Sequence, residues 1–264
     1  LFFTISYSQS KPVQVSNNSR FERVQIIATE AAFPEASFLT TNKEKGQFAL
    51  VENGIPGSIL VSASDFPGVL KIAGLFQKDL SRVSGKEAQL VLGNEHPSKS
   101  LVIVGTLGKS SLINQLAKKG KIAVSGLKGK REQFFIIPVK KPMKGVENAL
   151  VIVGSDKRGT IFGMFELSEK MGVSPWYWWA DAPIKSRKNI YVKAGMHTAG
   201  EPKVKYRGIF INDEDPALAG WAREKFGGLN HLFYEKVFEL ILRMKGNYLW
   251  PAMWGKSLWD DDPL

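Results

Sequence analysis

The residues best suited to chemistry in this chain lie between positions 206 and 254, at the ends of two short apolar segments. The first segment ends in Asn212-Asp213-Glu214-Asp215, and the second ends in Trp250-Pro251-Ala252-Met253-Trp254. Carboxylates can act as general acids and bases, and aromatic rings offer flat apolar surfaces for a pyranose ring. The pattern indicates a carbohydrate site, provided that both clusters face one cavity.

Asp213 is the leading catalytic candidate, because side chains at the carboxyl ends of barrel strands converge on the active site. Asn212 and Glu214 flank it as candidates for substrate binding. For Asp213 and Asp215, the alternative is capping of a helix that begins near Pro216.

Asn247, Trp250 and Trp254 flank the second segment and are further candidates for substrate binding. Core packing is an alternative role for Trp250. Arg158 is a candidate from a separate loop, because its guanidinium group suits the carboxylate of a uronic acid. The alternative there is an ordinary turn, with Asp156 or Thr160 capping the next helix.

Two other motifs have simpler explanations. The loop Gly105-Thr106-Leu107-Gly108-Lys109-Ser110 has two residues between its glycines, whereas a phosphate-binding loop has four. It is therefore predicted to be a tight turn, and nucleotide binding is a third hypothesis. In Pro175-Trp176-Tyr177-Trp178-Trp179, strand-like alternation would send Trp178 and Trp179 to opposite faces.

These residues require a scaffold, and the hydrophobic pattern predicts one. Strands are expected near residues 23–28, 47–52, 58–62, 89–92, 101–104, 133–139 and 150–153, and helices near 66–83, 110–119 and 161–171. Alternation of strands and helices predicts a compact α/β domain over residues 11–195. Its boundary is expected at about residues 194–205.

A new pattern starts at Tyr206. A strand over 206–211, a helix over 234–245 and a strand over 248–252 predict a β-α-β unit. The helix has its apolar stripe at Val237, Leu240, Ile241 and Met244, with Gly246 as its C-terminal cap. Residues 206–264 have room for two strands of a (β/α)₈ barrel.

Composition excludes several classes of protein. The 264 residues are 44% hydrophobic, carry a net charge of +11 and include no cysteine, so disulfides and thiolate metal sites are excluded. The dense lysine segment 128–144 is interrupted by apolar residues and is predicted to be a solvated hairpin without nucleic-acid binding. Residues 1–10 are interpreted as the remnant of a signal peptide. No membrane span and no metal or other cofactor are expected.

The chain resembles glycoside hydrolase family 115, the bacterial xylan α-1,2-glucuronidases, over most of its length. The most specific segments are residues 206–214, 221–227 and 247–254, and supporting segments are 105–110, 155–163 and 174–181. The resemblance implies an α/β fold: an N-terminal α/β sandwich-like domain, followed here by the truncated start of a (β/α)₈ barrel, a TIM barrel.

The resemblance also implies what the whole protein does. Family members remove glucuronic acid or its 4-O-methyl ether from glucuronoxylan or its oligosaccharides with inversion, and they need no metal. It implies a secreted or periplasmic protein that forms a homodimer, with its main acid and base beyond residue 264. This chain alone is then expected to be inactive. A non-catalytic carbohydrate-binding protein is the alternative.

Overall fold

The computed structural model describes residues 33–34, 36–93, 95 and 98–253. The strands are β1 (Leu39–Thr40), β2 (Phe48–Glu52), β3 (Ile55–Pro56), β4 (Ser58–Val61), β5 (Leu90–Leu92), β6 (Ser100–Thr106), β7 (Phe134–Met143), β8 (Val146–Gly154), β9 (Ile190–Val192), β10 (Gly208–Phe210) and β11 (Tyr248–Trp250). The helices are α1 (Pro67–Ser84), α2 (Ser111–Lys118), α3 (Lys157–Met171), α4 (Leu218–Phe226) and α5 (His231–Arg243). Trp254, the interpreted signal remnant and the predicted strand at 23–28 lie outside the described residues.

The main sheet has five strands in the order β5-β4-β6-β8-β7. Strands β5, β4, β6 and β8 are parallel, and β7 returns antiparallel beside β8 as a hairpin. Central strand β6 is buried from Leu101 to Thr106, as expected for a parallel strand covered on both faces. The predicted runs at 58–62, 89–92, 101–104, 133–139 and 150–153 all fall in this sheet.

Alternation along the strands separates two apolar cores. Leu101 and Ile103 face the core that includes α2, whereas Val102 and Val104 face the core that includes α1 and α3. A second sheet of β1, β9, β2 and β3 contributes to the latter core. Contacts place all described residues in one compact unit. The boundary at 194–205 stays a prediction.

Local sequence features account for the ends of two helices. Pro67 begins α1, and Gly85 ends it with a φ of 73°, in the left-handed region that glycine tolerates. Asp156 caps α3 by accepting a hydrogen bond from the Gly159 backbone N–H at 2.8 Å. Among the described residues, no helix is long and apolar enough to cross a membrane.

The tryptophan segment differs from its prediction. Residues 175–179 form turns instead of a strand, so the expected alternation is wrong. Trp178 and Trp179 both pack near Trp221 of α4, with ring centroids 6.3 and 5.7 Å from it. Trp179 also contacts Phe233 of α5, so this segment joins the aromatic cluster around α4 and α5.

Strands β10 and β11 are parallel, with Gly208 paired to Tyr248 and Phe210 to Trp250. Two helices connect them, where the sequence pattern predicted one. Helix α5 begins three residues earlier than predicted because the Asn230 side chain accepts hydrogen bonds from the Leu232 and Phe233 backbone N–H groups.

The end of α5 also differs. Met244, predicted on the buried stripe, is exposed, because the helix ends at Arg243. Lys245, and not Gly246, takes the left-handed conformation, with a φ of 56°. Glycine is favoured at position 246 for another reason: a Cβ there would lie 3.0 Å from the Arg207 carbonyl oxygen.

A buried ionic cluster joins α5 to the α/β domain. Arg243, 2% exposed, donates two hydrogen bonds to Asp79 of α1 at 2.7 and 3.1 Å and one to Glu239 at 2.9 Å. The Tyr177 hydroxyl donates to Glu239 at 2.9 Å. Burial lowers the pKa of Arg243, but Asp79 and Glu239 outweigh this effect and raise it. The guanidinium group therefore stays charged.

Lys245 adds a second ionic connection at the end of α5. Its Nζ lies 2.5 Å from Glu166 and 3.2 Å from Glu169, both on α3. Burial lowers the pKa of Lys245, but the hydrogen bond and charge of Glu166 and the charge of Glu169 raise it overall. Helix α5 is thus held by opposite charges on both α1 and α3.

We expect Arg243→Met to lower the free energy of unfolding by about 3 kcal/mol or more, because removing one partner leaves the Asp79 carboxylate buried without its bidentate donor. Urea denaturation followed by circular dichroism measures this loss. Lys71→Ala is the control, since Lys71 forms an exposed pair with Glu235 at 2.9 Å and should change stability far less. Equal losses for the two variants would contradict the role of Arg243.

Candidate functional site

The parallel pair β10 and β11 has two chemically different ends. Asn212, Asp213 and Glu214 follow β10 at the carboxyl end, where Ile211 N–H donates to the Trp250 carbonyl at 2.9 Å. Arg207 and Asn247 precede the two strands at the amino end. The predicted site residues are therefore divided between opposite ends of the pair.

At the carboxyl end, Asp213 connects the segments that follow the two strands. Its side chain is buried, with the residue 3% exposed, and Oδ1 accepts a hydrogen bond from the Met253 backbone N–H at 3.2 Å. Beside it, the Tyr234 hydroxyl accepts a hydrogen bond from Ala252 N–H at 3.0 Å. Burial, and more weakly the charge of Asp213, raise the pKa of Tyr234, so its phenol stays neutral.

Asn212 and Glu214 lie on the other side of this segment. Ile211 and Asp213 are buried whereas Asn212 and Glu214 are exposed, which is the burial pattern of an extended segment with one covered face. The open face therefore presents an amide and a carboxylate. Asp213 belongs to the covered face.

Aromatic rings continue the open face along the strands. Phe210 and Trp250 meet edge to face with ring centroids 5.4 Å apart, and Trp250 is 54% exposed. Tyr248 is also half exposed. The open face thus combines Asn212 and Glu214 with Phe210 and Trp250, the combination expected for a carbohydrate surface.

At the amino end, Glu132 gathers the other predicted residues. One carboxylate oxygen lies 2.7 Å from Arg207 Nη2, and the other accepts from Asn247 Nδ2 at 2.8 Å and lies 3.8 Å from Arg158 Nη1. Asn247 Oδ1 accepts from Arg207 N–H at 3.0 Å. Asn247 and Arg158 therefore contact a carboxylate of their own chain, away from Asp213.

Glu132 is not among the residues that the sequence pattern predicts for the site. It is buried and has a φ of 56°, and its backbone N–H donates to Asp156 at 2.8 Å. It lies within the lysine-rich segment 128–144, whose charge pattern predicted a solvated surface. No local signal marks it, because its partners Arg207 and Asn247 are 75 and 115 positions away.

The predicted capping alternative for the aspartates is wrong. Helix α4 has Ala217 at its N-cap and no side-chain cap. Asp215 instead forms an exposed ion pair with Arg223 at 2.7 Å, and the Arg223 hydrogen bond lowers the pKa of Asp215. Asp213 accepts from Met253 as described above.

The described residues contain no group of three or more His, Cys, Asp or Glu placed to hold a metal ion. The predicted turn at 105–110 is confirmed: Ser110 caps α2 through the Ile113 N–H at 3.4 Å, and the Lys109 and Ser110 N–H groups donate to Thr106. A Cβ at Gly105 would collide with Ser110 at 2.5 Å, so this loop is filled by its own chain.

Glu132→Ala should lower the free energy of unfolding by about 2 kcal/mol, since Arg207, whose side chain is 25% exposed, loses its carboxylate. Arg158→Ala is the control, because its side chain is 43% exposed and 3.8 Å from Glu132, and it should have little effect. Urea denaturation compares the two variants. A larger loss for Arg158→Ala would overturn this assignment.

The family model described as Glycosyl hydrolase family 115 matches residues 199–264. Among solved structures, the chain is similar to BtGH115A, described as a family GH115 4-O-methyl-α-glucuronidase with specificity for decorated arabinogalactans. The identity is 35% and the TM-score 0.65, over 78% of this chain and 26% of that chain. A comparison with curated protein sequences finds no match.

Two further structural similarities are weak. CpGH84D gives 8% identity and a TM-score of 0.39, over 66% of this chain and 24% of that chain. A chitobiase from Flavobacterium johnsoniae, FjGH20, gives 14% identity and a TM-score of 0.37, over 66% and 21%. The family match at residues 199–264 and the similarity to BtGH115A agree, and the chain belongs to glycoside hydrolase family 115.

Proposed function

We propose that the protein containing this chain is an inverting α-glucuronidase that removes glucuronic acid or 4-O-methylglucuronic acid side chains from a polysaccharide. The observation that carries this proposal is the 35% identity, over 78% of the chain, to a 4-O-methyl-α-glucuronidase. The chain spans 26% of that protein, so the activity of the whole protein is a proposal.

The proposal places β10 and β11 at the start of a (β/α)₈ barrel. The different burial of the two faces of this strand pair supports this placement. Leu249 packs in the core with α4 and α5, whereas Phe210, Tyr248 and Trp250 are exposed on the opposite face. Parallel sheets are normally covered on both faces. Further parallel strands would enclose the open face and leave Trp250, at the carboxyl end of β11, to line the site.

In this arrangement the open face forms one wall of the uronic acid site. Asn212 binds sugar hydroxyls, Glu214 binds sugar or contributes charge, and Trp250 packs on the ring. Asp213 acts as a positioning residue, because its carboxylate holds the Met253 backbone at 3.2 Å. Arg158 and Asn247 are not included, since both contact Glu132 at the other end of the strands.

Inversion needs two carboxyl groups about 6.5 to 9.5 Å apart, with a water molecule between one of them and the sugar. Within the described residues, the segment after β10 offers Glu214 on the open face, whereas Asp215 is paired with Arg223. We therefore assign the acid and base to other barrel strands, and we expect this chain alone to be inactive.

The test uses the full gene product and this 264-residue chain side by side. We expect the gene product to release uronic acid from glucuronoxylan or from uronic acid-decorated arabinogalactan, and the chain to release none. Proton NMR should show the β-anomer first, because an α-linkage is cleaved with inversion. An α-anomer would refute inversion. Binding of the polymer without release would favour the non-catalytic carbohydrate-binding alternative.

Variants of Asp213 in the full gene product separate positioning from catalysis. Asp213→Ala should lower turnover at least tenfold, about 1.4 kcal/mol of transition-state stabilisation, because the segment after β11 loses its anchor. Asp213→Asn keeps an oxygen that accepts from Met253 and should retain most activity. If the asparagine variant is as inactive as the alanine variant, Asp213 is a catalytic residue. Asp215→Ala is the matched surface control.

Export to the periplasm or medium and assembly as a homodimer belong to the same proposal. The absence of cysteine is compatible with export, since the fold then depends on packing alone. Cell fractionation and sedimentation of the full gene product test these two points.

A further inference from the structure

A lysine-rich surface of the described chain lies away from the proposed sugar site. A cleft of about 580 Å³ at the tip of the β7–β8 hairpin is lined by five lysines and one glutamate, Lys99, Lys119, Lys121, Lys141, Lys144 and Glu147. We call this cleft the lysine cleft. Its lysines come from three places: the residue before β6, the end of α2, and the hairpin tip.

Few carboxylates neutralise the positive charges of the lysine cleft. Glu147 lies 3.8 Å from Lys99, and both side chains are mostly exposed. For the other four lysines, no ion pair is found with any carboxylate among the described residues. The charge of the cleft is therefore available to a ligand from outside.

Backbone geometry places Lys141 in this cleft. The pairing of β7 with β8 shifts between Lys140 and Met143, so two consecutive lysines are exposed where alternation would expose one. Lys140 lines a different cleft, and Lys141 has a left-handed φ of 47°. An L-residue adopts this conformation at a cost, and here it directs an additional positive charge into the lysine cleft.

We propose that the lysine cleft binds a polysaccharide that carries uronic acid carboxylates, and so docks the acidic polymer at a distance from the site of hydrolysis. This inference rests on the proposed function, which makes such a polymer the substrate. Lysine ammonium groups attract carboxylates as point charges, without the planar fork that arginine uses for one fixed anion. Several spaced lysines therefore suit a flexible polymer with repeated charges.

The lining can hold a polymer through its charged groups and offers no surface for ring stacking, which disfavours nucleic acid bases. It contains neither an aromatic side chain on which a base could stack nor an arginine for bidentate phosphate contacts. The ten residues of β7 also set the distance, about 30 Å, between the lysine cleft and Glu132 at the other end of that strand. Docking there should assist binding of long chains.

The test measures binding by this 264-residue chain, which needs no turnover. Biolayer interferometry compares immobilised glucuronoxylan, the same xylan freed of its uronic acids, and polyadenylate. The test variant is Lys119→Gln, Lys121→Gln, Lys144→Gln. The matched control is Lys45→Gln, Lys86→Gln, Lys185→Gln, at exposed lysines outside the lysine cleft. Circular dichroism checks that both variants fold.

We expect the test variant to bind glucuronoxylan at least tenfold more weakly than the wild-type chain, and the control less than twofold more weakly. Binding should weaken as salt rises to 0.5 M, since exposed charges are screened within a few ångströms there. Equal weakening of the two variants, equal binding of xylan without uronic acids, or tighter binding of polyadenylate would each overturn the proposal.

The outcome is separable from that of the proposed function. If the full gene product releases uronic acid while the test variant binds like the wild type, the docking proposal alone fails. If the lysine cleft binds glucuronoxylan but no release occurs with either polysaccharide, hydrolysis fails and docking stands.

Discussion

Burial of charge at the end of α5 is the constraint on which the arrangement of this protein depends. Arg243 and its partners Asp79 and Glu239 are each less than 10% exposed, so none can exchange its partner for water without a large cost. The bidentate geometry to Asp79 fixes the position and the rotation of α5 on α1. Because α5 precedes β11, the same contacts place β11, and through its pairing also β10, against the α/β domain.

This fixed docking explains why the two ends of the strand pair have different chemistry. The amino end meets the α/β domain and is closed by Glu132, whose carboxylate is used by Arg207 and Asn247. The carboxyl end presents Asn212 and Glu214 beside exposed aromatic rings. Barrel enzymes place stability at the first end and chemistry at the second, and the proposed sugar site follows the same division.

The chain matches 26% of the length of BtGH115A, so it represents part of a longer architecture in that relative. Its own contribution to the proposed hydrolysis is a wall of the site, held in place by Asp213 and by the contacts of α5. The lysine cleft lies at the tip of the β7–β8 hairpin, at the end of β7 opposite to Glu132. Together, the two surfaces describe a protein that would contact an acidic polymer at two separated places.

The sequence by itself determined the family and part of the local structure. Apolar periodicity and the caps Pro67, Gly85 and Asp156 set the helices, because such signals act within a few residues. Only the tertiary structure decided that Asp213 is covered, that Asn247 lies at the other strand end, and that Glu132 is buried among basic residues. These outcomes depend on contacts between distant positions, up to 164 apart for Arg243 and Asp79, and no local pattern records them.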